Sequence, residues 1–138
     1  MAERLRLELA IPTRLVVSQE VEEVVAPGSE GYFGVWPGHA SFLTTLASGA
    51  VTYRAGAEER ALAVHGGFAE VQGERVMILA DSAERPDEID MARAQRARER
   101  AEQRLAGKTQ EEIDYTRALA ALNRALSRLQ VAGRAGSK

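Results

Sequence analysis

From Leu5 to Ile11 apolar residues alternate with Arg6, Glu8 and Ala10. That period of two puts Leu5, Leu7, Leu9 and Ile11 on one face of a strand. Pro12-Thr13 ends it, and Leu15–Val17 and Val21–Val25 read as further strands before the turn cluster Pro27-Gly28-Ser29-Glu30-Gly31. Short apolar runs follow at Tyr32-Phe33, Val35-Trp36, Phe42-Leu43, Val51–Tyr53, Leu62–Val64, Phe68–Val71 and Val76–Leu79, separated by glycine-bearing turns. That spacing predicts about ten short strands packed as a two-layer sandwich.

The pattern changes between Asp81 and Asp87. Pro86 disfavours the helical region for Arg85, and Asp87 is placed to cap a helix entered through Glu88, with Asp90 in its first turn. Good helix formers run from Glu88 to Ala106, and Gly107 follows as a stop. Thr109-Gln110-Glu111-Glu112 is a capping-box sequence that opens a second helix, expected from Gln110 to about Val131. The predicted architecture is therefore β followed by α: a ten-stranded sandwich over 1–84 and an antiparallel two-helix hairpin over 85–138. Ala94, Ala97, Ala101 and Leu105 share one face of the first helix; Ala118, Leu119, Leu122, Ala125, Leu126 and Leu129 form the apolar face expected on the second.

At 138 residues, 45% hydrophobic and 28% charged, the chain has the composition of a folded domain with one modest core. It has no cysteine, which excludes disulfides, thiolate metal sites and a cysteine nucleophile. No apolar run approaches a membrane span, and the start lacks the apolar stretch of a signal peptide, so the protein is expected to stay where it is made. Charge is divided unevenly: residues 1–83 carry 6 bases against 11 acids, and residues 84–138 carry 12 against 9. No acid follows Asp114, whereas Arg117, Arg124, Arg128, Arg134 and Lys138 do. The end of the chain is thus a cationic rod suited to an anionic surface. Arg93, Arg96, Arg100 and Arg104 fall on one side of the first helix and Arg117, Arg124 and Arg128 on one side of the second. Folding the hairpin would bring these cations together, which is unfavourable unless an anion joins them.

Candidate catalytic chemistry is sparse. His39 follows Pro37-Gly38 without a second histidine or an acid at ligand spacing, and reads as a turn or packing residue. Gly66-Gly67 lacks the lysine and helix of a phosphate loop and reads as a bulge or a close approach of strands. No nucleophile is paired with a base, and an enzyme built around His39 or His65 has nothing to work with.

Five segments, in order, carry a resemblance that spans essentially the whole chain: Val24-Val-Ala-Pro-Gly-Ser-Glu-Gly31, Gly34-Val-Trp-Pro-Gly-His-Ala40, Gly66-Gly-Phe-Ala-Glu-Val71, Val76-Met-Ile-Leu-Ala-Asp-Ser-Ala-Glu-Arg85 and Ile89-Asp-Met-Ala-Arg-Ala94. The chain resembles the epsilon subunit of the bacterial F-type ATP synthase, the counterpart of mitochondrial delta. The resemblance implies a non-catalytic rotor subunit at the cytoplasmic face of the bacterial plasma membrane. Its sandwich would bind the gamma subunit and sit on the c-ring, with Glu30, Gly31, Tyr32 and His39 as ring contacts. Its hairpin would restrain ATP hydrolysis by extending into the catalytic head, where Arg117, Arg124 and Arg128 would meet the alpha and beta subunits. Contact with the membrane would come only through the complex, and no nucleic acid is implied. The family commonly has an acid where this chain has Tyr32 and a proline where it has Ser41.

The resemblance also implies a regulatory nucleotide site without a catalytic cofactor. Ile89-Asp90-Met91-Ala92-Arg93-Ala94 fits the family's nucleotide-binding pattern, and Glu84, Arg100, Arg124 and Arg128 complete it. Asp90 and Glu84 would accept from the adenine amino group, and the arginines would neutralise phosphates, so that ATP favours the folded, non-inhibitory hairpin. The competing expectation is a free-standing ATP sensor that uses the same helical motif, distinguished by failing to co-purify with a gamma subunit and a membrane ATPase.

Overall fold

The structure, a computed structural model, describes residues 3–107 and 112–134. Eight strands come first: β1 (Leu5–Ile11), β2 (Arg14–Val21), β3 (Glu23–Gly28), β4 (Gly31–Val35), β5 (Phe42–Thr45), β6 (Ser48–Ala55), β7 (Glu58–Gln72) and β8 (Arg75–Glu84). A 3-10 turn at Pro86–Glu88 leads to α1 (Met91–Leu105), and α2 (Glu112–Arg134) follows.

All eight strands join one hydrogen-bonded sheet in the order β2-β1-β8-β7-β6-β3-β4, with β5 also paired to β7. Every neighbouring pair is antiparallel except β1 and β8. Leu5, Leu7 and Leu9 of β1 nevertheless share a buried cluster with Val24 and Ala26 of β3 and Val35 of β4, strands from the other end of that order. Only a sheet folded over on itself as a sandwich brings those ends together. Each large aliphatic side chain buried there contributes about 1.5–3 kcal/mol relative to exposure.

Eight strands replace the expected ten because two pairs of runs merge: Tyr32-Phe33 and Val35 share β4, and Leu62–Val64 and Phe68–Val71 lie on the long β7. The first half of β7 pairs with β6 and its second with β5, and against β8 it keeps one register from Ala63 to Gln72 that skips Gly66. The chain turns between the two halves at Gly66 and Gly67, whose φ values of +75° and +115° are left-handed. A Cβ at Gly67 would lie 2.1 Å from the Leu79 carbonyl oxygen, so the close approach read from the sequence is a backbone-on-backbone contact.

The entry to α1 differs from expectation. Asp90, not Asp87, is its N-cap, and its Oδ1 accepts from the Arg93 N–H at 3.0 Å. Pro86 starts a 3-10 turn instead, closed by Glu88 Oε1 accepting from the Arg85 N–H at 2.8 Å. The helix ends with Ala106 still right-handed. The capping sequence Thr109–Glu111 lies outside the described residues.

The apolar face of α2 is corrected too. Ala118, Ala125, Val131 and Ala132 are buried, whereas Leu119 and Leu126 are exposed. The buried residues of α1 are likewise alanines, Ala94 and Ala101, and side chains this small let two helices approach closely. Where α2 meets the sandwich, Val131 packs with Ala50, Ala61 and Ala63, Ile89 covers that small cluster, and Ser127 Oγ donates to the Gly49 carbonyl at 2.8 Å.

Candidate functional site

Capping by Asp90 fixes the helical phase of α1, so that Arg93, Ala97, Arg100 and Arg104 fall at i, i+4, i+7 and i+11 along one face. Ala121, Arg124 and Arg128 fall at i, i+3 and i+7 on α2. The two faces meet across a cavity of about 360 Å³ closed at one end by Glu84, the last residue of β8. Alanines line its helical walls and guanidiniums ring it: Arg93, Arg100, Arg104, Arg124 and Arg128, against the acids Glu84, Glu88 and Asp90.

The acids are already engaged. Glu84 Oε1 accepts from Arg128 Nε at 2.5 Å, Asp90 Oδ1 caps α1, and Glu88 takes the Arg85 N–H and, at 3.4 Å, the Arg14 guanidinium. Arg93, Arg100, Arg104 and Arg124 make no ion pair with a described carboxylate. Five guanidiniums against three carboxylates, four of the five without an ion-pair partner among the described residues, leave the cavity net positive.

Of the residues assigned to a nucleotide site, Glu84, Asp90, Arg93, Ala94, Arg100, Arg124 and Arg128 line this cavity. Ile89 does not; it turns toward Val131 and the sheet. Arg117 is exposed and lies outside it. Arg104 and Glu88 were missed by the sequence reading, although Arg104 stands one turn beyond Arg100 and was noted on the same side of the helix.

His65 was also passed over. It is buried, at 7% exposure, where β6, β7 and β8 meet α2. Its Nδ1 is 3.4 Å from Ser48 Oγ and its Nε2 is 3.5 Å from Glu84 Oε1, the oxygen that holds Arg128. Burial, with the Arg128 charge beside it, holds the imidazole below the ordinary histidine range, against the opposing pull of Glu84.

The residues assigned to the c-ring occupy opposite ends of β4. Glu30 and Gly31 form the exposed turn after β3, where Gly28 pairs with Gly31. His39 lies in the loop after β4, its Nδ1 2.8 Å from the Ala40 carbonyl and its ring 5.3 Å from that of Phe42. Tyr32 has a structural part: its hydroxyl reaches across β3 to accept the buried Ala50 N–H at 2.9 Å. Pro27 stands between them, beside Gly49, and has no N–H of its own to offer the ladder.

A second surface is apolar. Register places Phe68 beside Leu79, Leu79 beside Ala10, and Ala10 beside Leu15, and all three large side chains of this row are exposed on the outer face of the sandwich. Leu43, on the neighbouring β5, is exposed too. Contiguous apolar surface of this kind marks an interaction face.

Two family models divide the chain between them. "ATP synthase, Delta/Epsilon chain, beta-sandwich domain" matches residues 4–86, and "ATP synthase, Delta/Epsilon chain, long alpha-helix domain" matches residues 87–133. The chain belongs to the delta/epsilon family of ATP synthase subunits. Among curated relatives it is 50% identical over 135 residues to the ATP synthase epsilon chain of Nitratidesulfovibrio vulgaris, covering 98% of this chain and 100% of that one. It is 52% identical over 132 residues to the epsilon chain of Syntrophobacter fumaroxidans, with 96% and 98% covered. These relatives place it with the bacterial epsilon chains. Its fold matches a chain of the Euglena gracilis mitochondrial ATP synthase with a TM-score of 0.81 at 24% identity, over 94% of this chain and 81% of that one. A chain of the Tetrahymena thermophila central stalk and c-ring matches with a TM-score of 0.58 at 15% identity, over 96% of each.

Proposed function

We propose that this epsilon-type chain is a non-catalytic part of the rotor, the central stalk of the ATP synthase, and that its hairpin is a nucleotide-responsive brake on ATP hydrolysis. The sandwich binds the gamma subunit through the apolar face around Phe68 and Leu79 and sits on the c-ring, which keeps the chain peripheral at the cytoplasmic face of the bacterial membrane. Among the described residues no helix is long and apolar enough to cross a membrane. Folded, the hairpin holds ATP in the cavity between α1 and α2. Released, α2 carries Arg117, Arg124 and Arg128 toward acidic segments of the alpha and beta subunits. Its 23 residues span about 35 Å, the scale of such a reach.

The observation that carries the nucleotide reading is the set of five guanidiniums that folding gathers around one cavity, four of them without an acidic partner among the described residues. A triphosphate bound there supplies negative charge that offsets their repulsion, and no bond is made or broken. Arg93, Arg100, Arg104 and Arg124 would hold the phosphates. Glu84 and Asp90 each keep one carboxylate oxygen, Oε2 and Oδ2, without a partner among the described residues, with which to accept from an adenine amino group.

A ligand that prefers the folded hairpin stabilises it by about 2.7 kcal/mol at a hundredfold excess over its Kd. Titration calorimetry of the isolated chain with ATP should give a saturable heat, lost in Arg93→Ala and Arg124→Ala. Absence of both heat and thermal shift at millimolar ATP would leave the hairpin a mechanical regulator only.

A further inference from the structure

His65 sits beside the Glu84–Arg128 ion pair, the one charged contact between the sandwich and α2 among the described residues. Glu84 Oε1 faces two nitrogen groups at once, Arg128 Nε at 2.5 Å and His65 Nε2 at 3.5 Å. The His65 side chain is only 6% exposed, and its Nε2 has no hydrogen-bond partner. The groups that face it are Ser48 from β6, Glu84 from β8, and Arg124 and Arg128 from α2. One strand residue further on, Ser127 ties α2 to the Gly49 carbonyl. While the imidazole is neutral, the Glu84 carboxylate answers the arginine that reaches it, and Arg124 stands by as a further cation. A proton on His65 would set three cations against that single carboxylate; the imidazole itself is buried, although Glu84 and Arg128 are each about a third exposed, so water screens the repulsion only in part.

We infer that His65 is a proton-sensing positioning residue of the hairpin: neutral, it leaves Glu84 to Arg128 and α2 stays docked; protonated, it competes for Glu84, repels Arg124 and Arg128, and loosens α2 from the sheet. Because the docked state disfavours the proton, docking is at full strength above the ordinary histidine value of about 6.5 and is lost as the pH falls below it. A cell whose cytoplasm acidifies would thus release the arm. Only that last consequence rests on the hairpin's braking role; the docking change itself does not, and it needs no nucleotide.

The test is hydrogen exchange of the full chain, free of nucleotide, at pH 7.5 and 5.5 with intrinsic exchange rates corrected. Amides of residues 118–132 should lose about tenfold in protection at pH 5.5, the limit for one linked proton over one pH unit, while those of β1 and β8 keep theirs. The loss should vanish in His65→Gln and persist in His39→Asn, which removes the other of the two histidines. Equal protection of α2 at both pH values in the wild-type chain, or the same loss in His65→Gln, would overturn the inference. Should His65→Gln not fold, an NMR titration of the wild-type imidazoles decides the matter. Resonances of His65 that titrate well below 6.5 support the inference, and an unshifted titration overturns it. Failure of ATP to bind, by contrast, would touch only the nucleotide site.

Discussion

The Tyr32 hydroxyl accepts a hydrogen bond from a buried backbone N–H, that of Ala50. Ala50 is 2% exposed, and its N–H donates to that oxygen from a position where the β3 ladder meets Pro27. Tyr32→Phe keeps the ring and removes the acceptor, so it should cost about 1–2 kcal/mol, the penalty for a buried unpaired donor. Chemical denaturation read by Trp36 fluorescence checks this; an unchanged midpoint would mean that Ala50 finds water instead. Such single-atom relations were not legible in the sequence. Tyr32 stood out there only as a departure from the acid common in the family, because its partner lies 18 residues away across an intervening strand. Asp90 shows a subtler failure of the same kind. Both Asp87 and Asp90 have cap chemistry, and the choice between them was made by Pro86 and Glu88, which closed a separate turn first.

Elements were read well where one partner covers one face and badly where two partners compete. The alternation of β1 was fully informative because Leu5, Leu7 and Leu9 meet a single core. The α2 stripe misled because that helix packs on α1 through Ala118 and Ala125 and on the sheet through Ser127 and Val131, and this rotates Leu119 and Leu126 into solvent. Most residues around the cavity were legible all the same, since arginine spacing along each helix fixes which cations can converge. His65 was not, because nothing near it in sequence announces Glu84 and Arg128. Burying alanine gains less than burying leucine or phenylalanine, so the docking of α2 is expected to be sensitive to single substitutions. Ala125→Leu, at a position with no exposure, should cost about 1–3 kcal/mol by overpacking, confined to the docking of α2. In the assembled ATP synthase this variant should hydrolyse ATP more slowly than wild type while synthesis assemblies form normally. Faster hydrolysis would reverse the assignment of the released hairpin as the braking state.

At the scale of the whole molecule the two halves divide the work by surface chemistry. Acid excess and the exposed row of Leu15, Phe68 and Leu79 belong to the sandwich, and base excess belongs to the hairpin. An apolar row on a folded sheet makes a rigid, ready-formed face whose affinity comes from burying it, whereas a cationic helix works by charge and reach. Coupling and regulation should therefore separate cleanly under mutation. Phe68→Asp together with Leu79→Asp changes side chains that are 44% and 37% exposed on the outer face, where neighbouring Ala69, Ile78 and Ala80 point the opposite way into the core. Outward-facing substitutions of this kind cost little stability, on the order of 0.5 kcal/mol each. The same two carboxylates, buried without partners under a docked subunit, would cost several kcal/mol, enough for a loss in affinity of a hundredfold or more. The doubly substituted chain should melt near the wild-type temperature, keep any ATP heat that the hairpin gives, and fail to co-purify with gamma. Retained co-purification would move the gamma-binding face elsewhere on the sandwich and leave the apolar row to the c-ring.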